Sequence, residues 1–278
     1  MIDLRERMPD EPEEFKESIS DDASPKVQRA HKRLTEARKR IREIIEKGEF
    51  PQSDDFRSLW SDYKHCFFQA QFSGKCAYCE TRFGAGYSGD VEHYRPKTKI
   101  REPKRPGNRD DISGQPPGRR FHEGSKPGYW WLAYSWDNYL CSCKRCNNWK
   151  LESFPLRNER TEMVPGAEAG EQPLLINPYL TDPALHLTFN QLGEIFGVTE
   201  EGQITIDRCG LNRESLNHER KARADELKEA IDDYLSAFES RNDALVRSAI
   251  RRLKAFRKGA APYAAMARAI IEERLPPA

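Results

Sequence analysis

The chain has 278 residues, 37% of them hydrophobic and 33% charged, with a net charge of +1. That length holds one large domain or two small ones around a modest core, and the near-neutral balance excludes a global field that would by itself announce a polyanionic partner. No apolar run approaches the roughly 18 residues of a bilayer span, and the opening "MIDLRERMPDEPEEF" lacks the apolar region of a signal peptide, so the expectation is a cytoplasmic protein with reduced thiols.

The averaged charge hides a local polarity. Residues 1–22 carry nine Asp/Glu against three Lys/Arg, while 26–45 carry eight Lys/Arg against two Glu. Residues 1–24 read as an acidic, loosely held arm, and 25–73 as a helical region. Ser24-Pro25 has the form of an N-cap and first helical position, with Gly48 as the stop. Between them Val27, Ala30, Leu34, Ala37, Ile41 and Ile44 recur at three- and four-residue steps, one apolar stripe opposite a basic face. A second helix is expected from after Ser53 to near Gly74, burying Phe56, Leu59, Trp60, Tyr63, Phe67 and Phe68.

Over 74–154 the helical period is lost and Cys, Gly and aromatics dominate. Within it lies an insertion at 98–128 with five Pro, five Gly and eight Lys/Arg against four acids. Loops this long are usually functional or mobile. Residues 155–212 read as a mixed region in which "PLLINPYL" and "QITID" look like strands. From 213 to 278 the chain is helical again. One helix carries Leu216, Leu227, Ile231, Tyr234, Leu235 and Phe238; the next carries Leu245, Ala249, Ile250, Leu253 and Phe256; a third runs roughly over 262–275. The fold class expected is α+β, mostly helical.

Four of the seven cysteines form two C-x-x-C pairs, Cys76/Cys79 in "KCAYCE" and Cys143/Cys146 in "SCKRCN". Tetrahedral zinc takes four soft ligands, and one tight turn supplies two of them. A redox pair is the competing explanation, but that motif follows a strand and opens a helix, and here there are two pairs. Zinc closing the long excursion between the pairs would stabilise a region with little local core. Cys141 lies just upstream of the second pair and is expected to be buried, as are Cys66 and Cys209.

Between the pairs stands "GDVEHYRPK", with Glu92 directly before His93. Beyond the insertion, Asn138 precedes Cys143, and Asn147 follows Cys146. This order of Cys pair, Glu-His, Asn, Cys pair and Asn resembles the HNH endonucleases, whose ββα-metal centre is often framed by zinc between two C-x-x-C knuckles. The resemblance implies a zinc-braced ββα-metal core set in a helical scaffold. By it, His93 is the general base, Glu92 and Asn147 hold a catalytic Mg2+ or Mn2+, and Asn138 braces the loop bearing His93. The products would carry 5′-phosphate and 3′-hydroxyl ends. The chemistry suits those residue types. Histidine deprotonates water near neutral pH, and a divalent ion on oxygen ligands stabilises the charge developing at phosphorus. Asp90, on the same strand face as Glu92, is an alternative ligand. Arg95, Lys97 and Lys150 flank the centre as candidate phosphate contacts. The basic insertion, with Arg101, Lys104, Arg105, Arg119 and Arg120, is a candidate nucleic-acid clamp or else a solvated loop. Trp130, Trp131 and Trp136 are expected to pack the small core.

A narrower resemblance, to the Septu-type anti-phage HNH nucleases, rests on "KCAYCE", "DVEHYRPK", "YWWLAYSWDNYLCSCKRCNNWK", "EQPLLINPYLTDPALHLTFNQLGEI" and "GLNRESLNHER". It implies DNA cleavage in concert with an ABC/AAA-type ATPase subunit (PtuA-like), for which the 25–47 helix or the acidic arm is a candidate dock. RNA, such as tRNA, is the alternative substrate, because such a site reads a phosphodiester and not a sugar. A zinc-ribbon module that binds without cutting explains the cysteines but not Glu92-His93 or the two asparagines.

Overall fold

The computed structural model describes residues 1–71, 74–84, 86–87, 89–101, 126–160 and 162–275. Among the described residues helices carry most of the regular structure, and the strands pair only as small two-stranded antiparallel ribbons. The fold is therefore α+β and mostly helical. Among the described residues no helix is long and apolar enough to cross a membrane.

Helix α1 spans Pro25–Glu46, with the Ser24 hydroxyl accepting from the Val27 amide at 3.3 Å and Gly48 following at φ +77°. Its stripe buries Leu34, Ala37 and Ile41. The segment before it is not a loose arm. Met1, Ile2, Leu4 and Phe15 are buried, the Ile2 amide donates to the Ala77 carbonyl, and the Leu4 amide donates to that of Pro178. Phe15 sits 4.8 Å from Tyr63 and 5.0 Å from Trp136, edge to face. These apolar side chains have more to gain from the core than the surrounding acids have to lose, because most of those acids stay in solvent.

The expected second helix is broken. A 3-10 turn at Leu59–Tyr63 precedes a short α2, Lys64–Ala70. Leu59 and Trp60 are both buried from the 3-10 turn. Strand β1, Asp90–His93, pairs with β4, Tyr139–Ser142, and β2, Lys99–Ile100, pairs with β3, Lys126–Pro127. Helix α3 follows β4 directly, at Lys144–Lys150.

The mixed region also departs from expectation. "PLLINPYL" holds turns rather than a strand: Leu174, Leu175 and Ile176 are all buried, and Asn177 Oδ1 accepts from the Tyr179 amide at 3.0 Å around Pro178. "QITID" lies inside α4, Glu200–Cys209. The ends decide it. Thr199 caps the first turn through the Gly202 amide, and Gly210 closes the last at φ +58°. The strands of this region are β5, Leu187–Phe189, and β6, Ile195–Gly197. Helices α5 (Glu214–Glu239), α6 (Asp243–Arg257) and α7 (Ala264–Arg274) pack together at the C-terminal side. Phe238 and Leu245, expected on the apolar faces, are exposed because they flank the α5–α6 turn, at the tip of the hairpin.

Candidate functional site

The β1–β4 ribbon builds the site. Its register opposes Asp90 to Ser142, Glu92 to Leu140 and His93 to Tyr139. Gly89 opens β1 at φ +77°, where a Cβ would stand 2.6 Å from Cys141 Sγ and from the Phe83 ring. The first Cys knuckle is tied to the ribbon by the Ala77 amide, which donates to the Cys141 carbonyl at 3.0 Å. The second knuckle is the start of α3, with Cys143 as its N-cap.

The sulfurs of Cys76, Cys79, Cys143 and Cys146 all lie within 4.8 Å of one another, with Cys79 and Cys143 3.8 Å apart. Four sulfurs about 2.3 Å from a central zinc stand about 3.8 Å apart, so the set fits a tetrahedral ion. Backbone amides already point at these sulfurs: Cys143 N–H to Cys76 Sγ at 3.2 Å and Cys146 N–H to Cys143 Sγ at 3.4 Å. Burial pushes the Cys76 and Cys146 thiols up, while hydrogen bonds from neighbouring thiols pull Cys79 and Cys143 down. Among the described residues this is the sole His/Cys/Asp/Glu group of three or more arranged to hold a metal. Cys66, Cys141 and Cys209 lie outside it. Cys141 is buried on β4, and burial holds its thiol up at about 12.

Sequence reasoning missed Arg213, just before α5. Its Nη1 donates to Cys146 Sγ at 3.4 Å and its Nη2 reaches Cys143 Sγ at 4.0 Å, placing a cation beside the cysteine cluster. It stands in the quoted "GLNRES", but nothing local marks it as facing sulfur.

At the other end of β1, His93 Nε2 lies 3.0 Å from the Ala133 carbonyl oxygen. A carbonyl only accepts, so Nε2 carries the proton and Nδ1 keeps its lone pair. Burial, then the nearby Lys97 ammonium, hold the ring well below the usual histidine range, so it is neutral at physiological pH. Trp60, at 4.6 Å, and Tyr139, at 5.1 Å, pack edge to face with the imidazole. Trp60 was expected only as core.

Asn138 holds the chain leaving His93. Its Oδ1 accepts from the Arg95 amide at 2.8 Å, and its Nδ2 donates to the carbonyls of Arg95 at 3.0 Å and Leu132 at 3.1 Å. Gly128 lets that segment close, since a Cβ there would stand 2.6 Å from the Pro96 carbonyl oxygen.

Glu92 is buried and accepts from Lys150 Nζ at 2.5 Å through Oε1; Lys150 also donates to the His93 carbonyl at 2.9 Å. Burial pushes the Glu92 carboxyl up and the Lys150 ammonium opposes it. Asn147 lies one helical turn before Lys150 on α3, half-buried, and its side chain forms no hydrogen bond among the described residues. Oε2 of Glu92 and the Asn147 amide oxygen are thus open donors of the hard-oxygen kind that Mg2+ and Mn2+ take. Asp90 is engaged elsewhere: it accepts from the Tyr87 hydroxyl at 2.8 Å and faces Lys64 at 3.8 Å.

The three flanking cations occupy different surroundings. Arg95 is ion-paired with Glu171 and lies over the rings of Tyr129, at 5.0 Å, and Phe154, at 4.8 Å. Lys150 is fully buried in its pair with Glu92. Lys97 forms no hydrogen bond or ion pair among the described residues, and its Nζ sits 4.7 Å from the Trp60 ring centroid. Arg101 pairs with Glu152 at 2.7 Å, while Lys104, Arg105, Arg119 and Arg120 lie outside the described residues. Trp136 is buried, and Trp130 and Trp131 pack partly against the core.

The chain is 37% identical over 161 residues to the Septu protein PtuB of Bacillus mycoides (strain KBAB4), covering 56% of this chain and 49% of that protein. It is 28% identical over 152 residues to the Septu protein PtuA of the same organism, covering 54% of this chain and 19% of that protein. The matches thus span about half of the first relative and about a fifth of the second. No protein-family model matches the chain, and no solved structure does.

Proposed function

We propose that this chain is a metal-dependent HNH-type endonuclease that hydrolyses phosphodiester bonds of DNA, as the nuclease component of a Septu-type anti-phage system working with an ATPase. The observation that carries the reading is His93: a buried neutral imidazole with Nε2–H tied to a carbonyl, beside Glu92, against the helix that bears Asn147 and half of the cysteine cluster. Likeness to proteins named PtuB and PtuA supports the Septu assignment.

In this reading zinc on Cys76, Cys79, Cys143 and Cys146 fixes α3 against the ribbon. His93 Nδ1 accepts a proton from the attacking water while the Ala133 carbonyl keeps the ring in the tautomer that leaves Nδ1 open. Glu92 and Asn147 would hold a Mg2+ or Mn2+ ion, which when bound would supply charge stabilisation for phosphodiester hydrolysis. Asn138 keeps the loop beyond His93 in place. Lys97, which forms no ion pair among the described residues, meets a phosphate next to the cut.

The test is cleavage of plasmid DNA and of structured RNA with Mg2+ or Mn2+, by the chain alone and co-purified with its ATPase. His93→Ala is expected to abolish cleavage while zinc content and the thermal transition stay those of the wild type. Full activity in that variant defeats the reading, and RNA-only cleavage replaces the substrate. Nucleic-acid retention without cleavage by the wild type, in either preparation, would mark a binding module.

A further inference from the structure

Lys150 has a role that a phosphate contact does not describe. Its side chain has no exposure to solvent, and its ammonium reaches two groups at once: Glu92 Oε1 at 2.5 Å and the His93 carbonyl at 2.9 Å. Both acceptors stand at the end of β1, and the lysine is the last residue of α3, the helix whose first turn holds Cys146. One side chain therefore links the cysteine-bearing helix to both members of the Glu-His pair.

We propose that Lys150 is the positioning residue of the centre, and that by holding one oxygen of Glu92 it makes that carboxylate a one-oxygen ligand and so selects a small divalent ion. The inference rests on Glu92 being the ligand of the catalytic ion. With Oε1 taken by the ammonium, only Oε2 faces an incoming cation. Mg2+ and Mn2+ accept such a ligand, filling the remaining octahedral positions with water and substrate phosphate. Ca2+ takes six to eight oxygens and gains from a carboxylate that gives both. Arginine cannot replace the lysine. Its planar fork matches both oxygens of a carboxylate and would leave neither for the ion.

The two substitutions therefore change different quantities, the Mn2+/Ca2+ preference in Lys150→Met and the Mn2+ affinity itself in Lys150→Arg, which a merely structural role would not do. The probe is Mn2+ added to the zinc-loaded full chain and followed by electron paramagnetic resonance, with Ca2+ as competitor. In Lys150→Met, Glu92 is free to bind through both oxygens, and Ca2+ should gain on Mn2+ by about tenfold, the lower end for a lost partner of a ligand. In Lys150→Arg, which keeps the charge, Mn2+ binding should fall by about tenfold or more. Zinc stoichiometry reports folding in each, and Lys150→Arg decides alone if the methionine variant loses its zinc. An unchanged Mn2+/Ca2+ preference in a zinc-loaded Lys150→Met, or wild-type Mn2+ affinity in Lys150→Arg, overturns the inference. Glu92→Gln separates the two layers. If it abolishes Mn2+ binding, Glu92 stands as ligand whatever Lys150 does; if it leaves binding intact, the inference falls together with the assignment of Glu92.

Discussion

Replacing Arg213 by methionine should weaken zinc binding by about 25-fold while leaving the zinc-saturated chain folded. The guanidinium gives one hydrogen bond of 3.4 Å to Cys146 Sγ and a longer one of 4.0 Å to Cys143 Sγ. A net hydrogen bond to a charged group contributes about 1.5–3 kcal/mol. Counting the shorter contact fully and the longer one little gives about 2 kcal/mol, and about 1.4 kcal/mol is a factor of ten. Only the thiolate form feels this attraction strongly, so the loss falls on the metal-bound state. Arg213 Nη1 also donates to the Gly210 carbonyl at 3.0 Å, so the α4–α5 turn loosens as well. Competition with a chromogenic zinc chelator reads the affinity, and the thermal transition at saturating zinc reads the turn separately. Arg213→Lys should fall between, because it keeps the charge but cannot reach two sulfurs with one planar group. Wild-type zinc affinity in Arg213→Met would refute the argument.

Three further outcomes follow from other parts of the fold. Phe15→Ala should destabilise the chain by about 3–5 kcal/mol in denaturant unfolding, as for a large core aromatic; a loss under about 1 kcal/mol would return residues 1–24 to the status of a loose arm. Gly128→Ala forces a methyl against the Pro96 carbonyl and should cost about 1–3 kcal/mol by the same assay, with a wild-type midpoint as the contrary result. Lys97→Met should lower affinity for nucleic acid about equally across sequences and reduce the slope of log K against log salt by about one. An unchanged slope would remove Lys97 from the phosphate contacts.

The parts of this molecule that could be read from sequence are those whose physics is local. Helix α1 announces itself by Ser24, Pro25 and Gly48, because a cap is satisfied within one turn. The cysteine set does so because a C-x-x-C turn prepares two ligands at once. What could not be read depends on partners far along the chain. Lys150 and Arg95 look like phosphate contacts until Glu92, 58 residues away, and Glu171, 76 residues away, are found beside them. "QITID" misled for another reason. Its β-branched residues favour a strand, but Thr199 and Gly210 fix the segment from outside, and helix ends overrode a weak internal preference.

The placement of the cysteine cluster follows from how little else holds the site. Strands β1 and β4 have four residues each and, among the described residues, pair only with one another; an isolated two-stranded ribbon is marginal in water. The proposed chemistry needs the Glu92-His93 pair held to a fraction of an ångström. The chain answers with three ties that converge on the ribbon. The Ala77 amide fastens the first knuckle to β4, the cluster fastens that knuckle to α3, and Lys150 fastens α3 to the end of β1. These ties close a circuit, so slack at the sulfurs is passed to the carboxylate and imidazole at its far side. A zinc ion held by these four sulfurs would then be as much a part of the Glu-His geometry as Asn138, although neither Glu92 nor His93 belongs to the cysteine cluster.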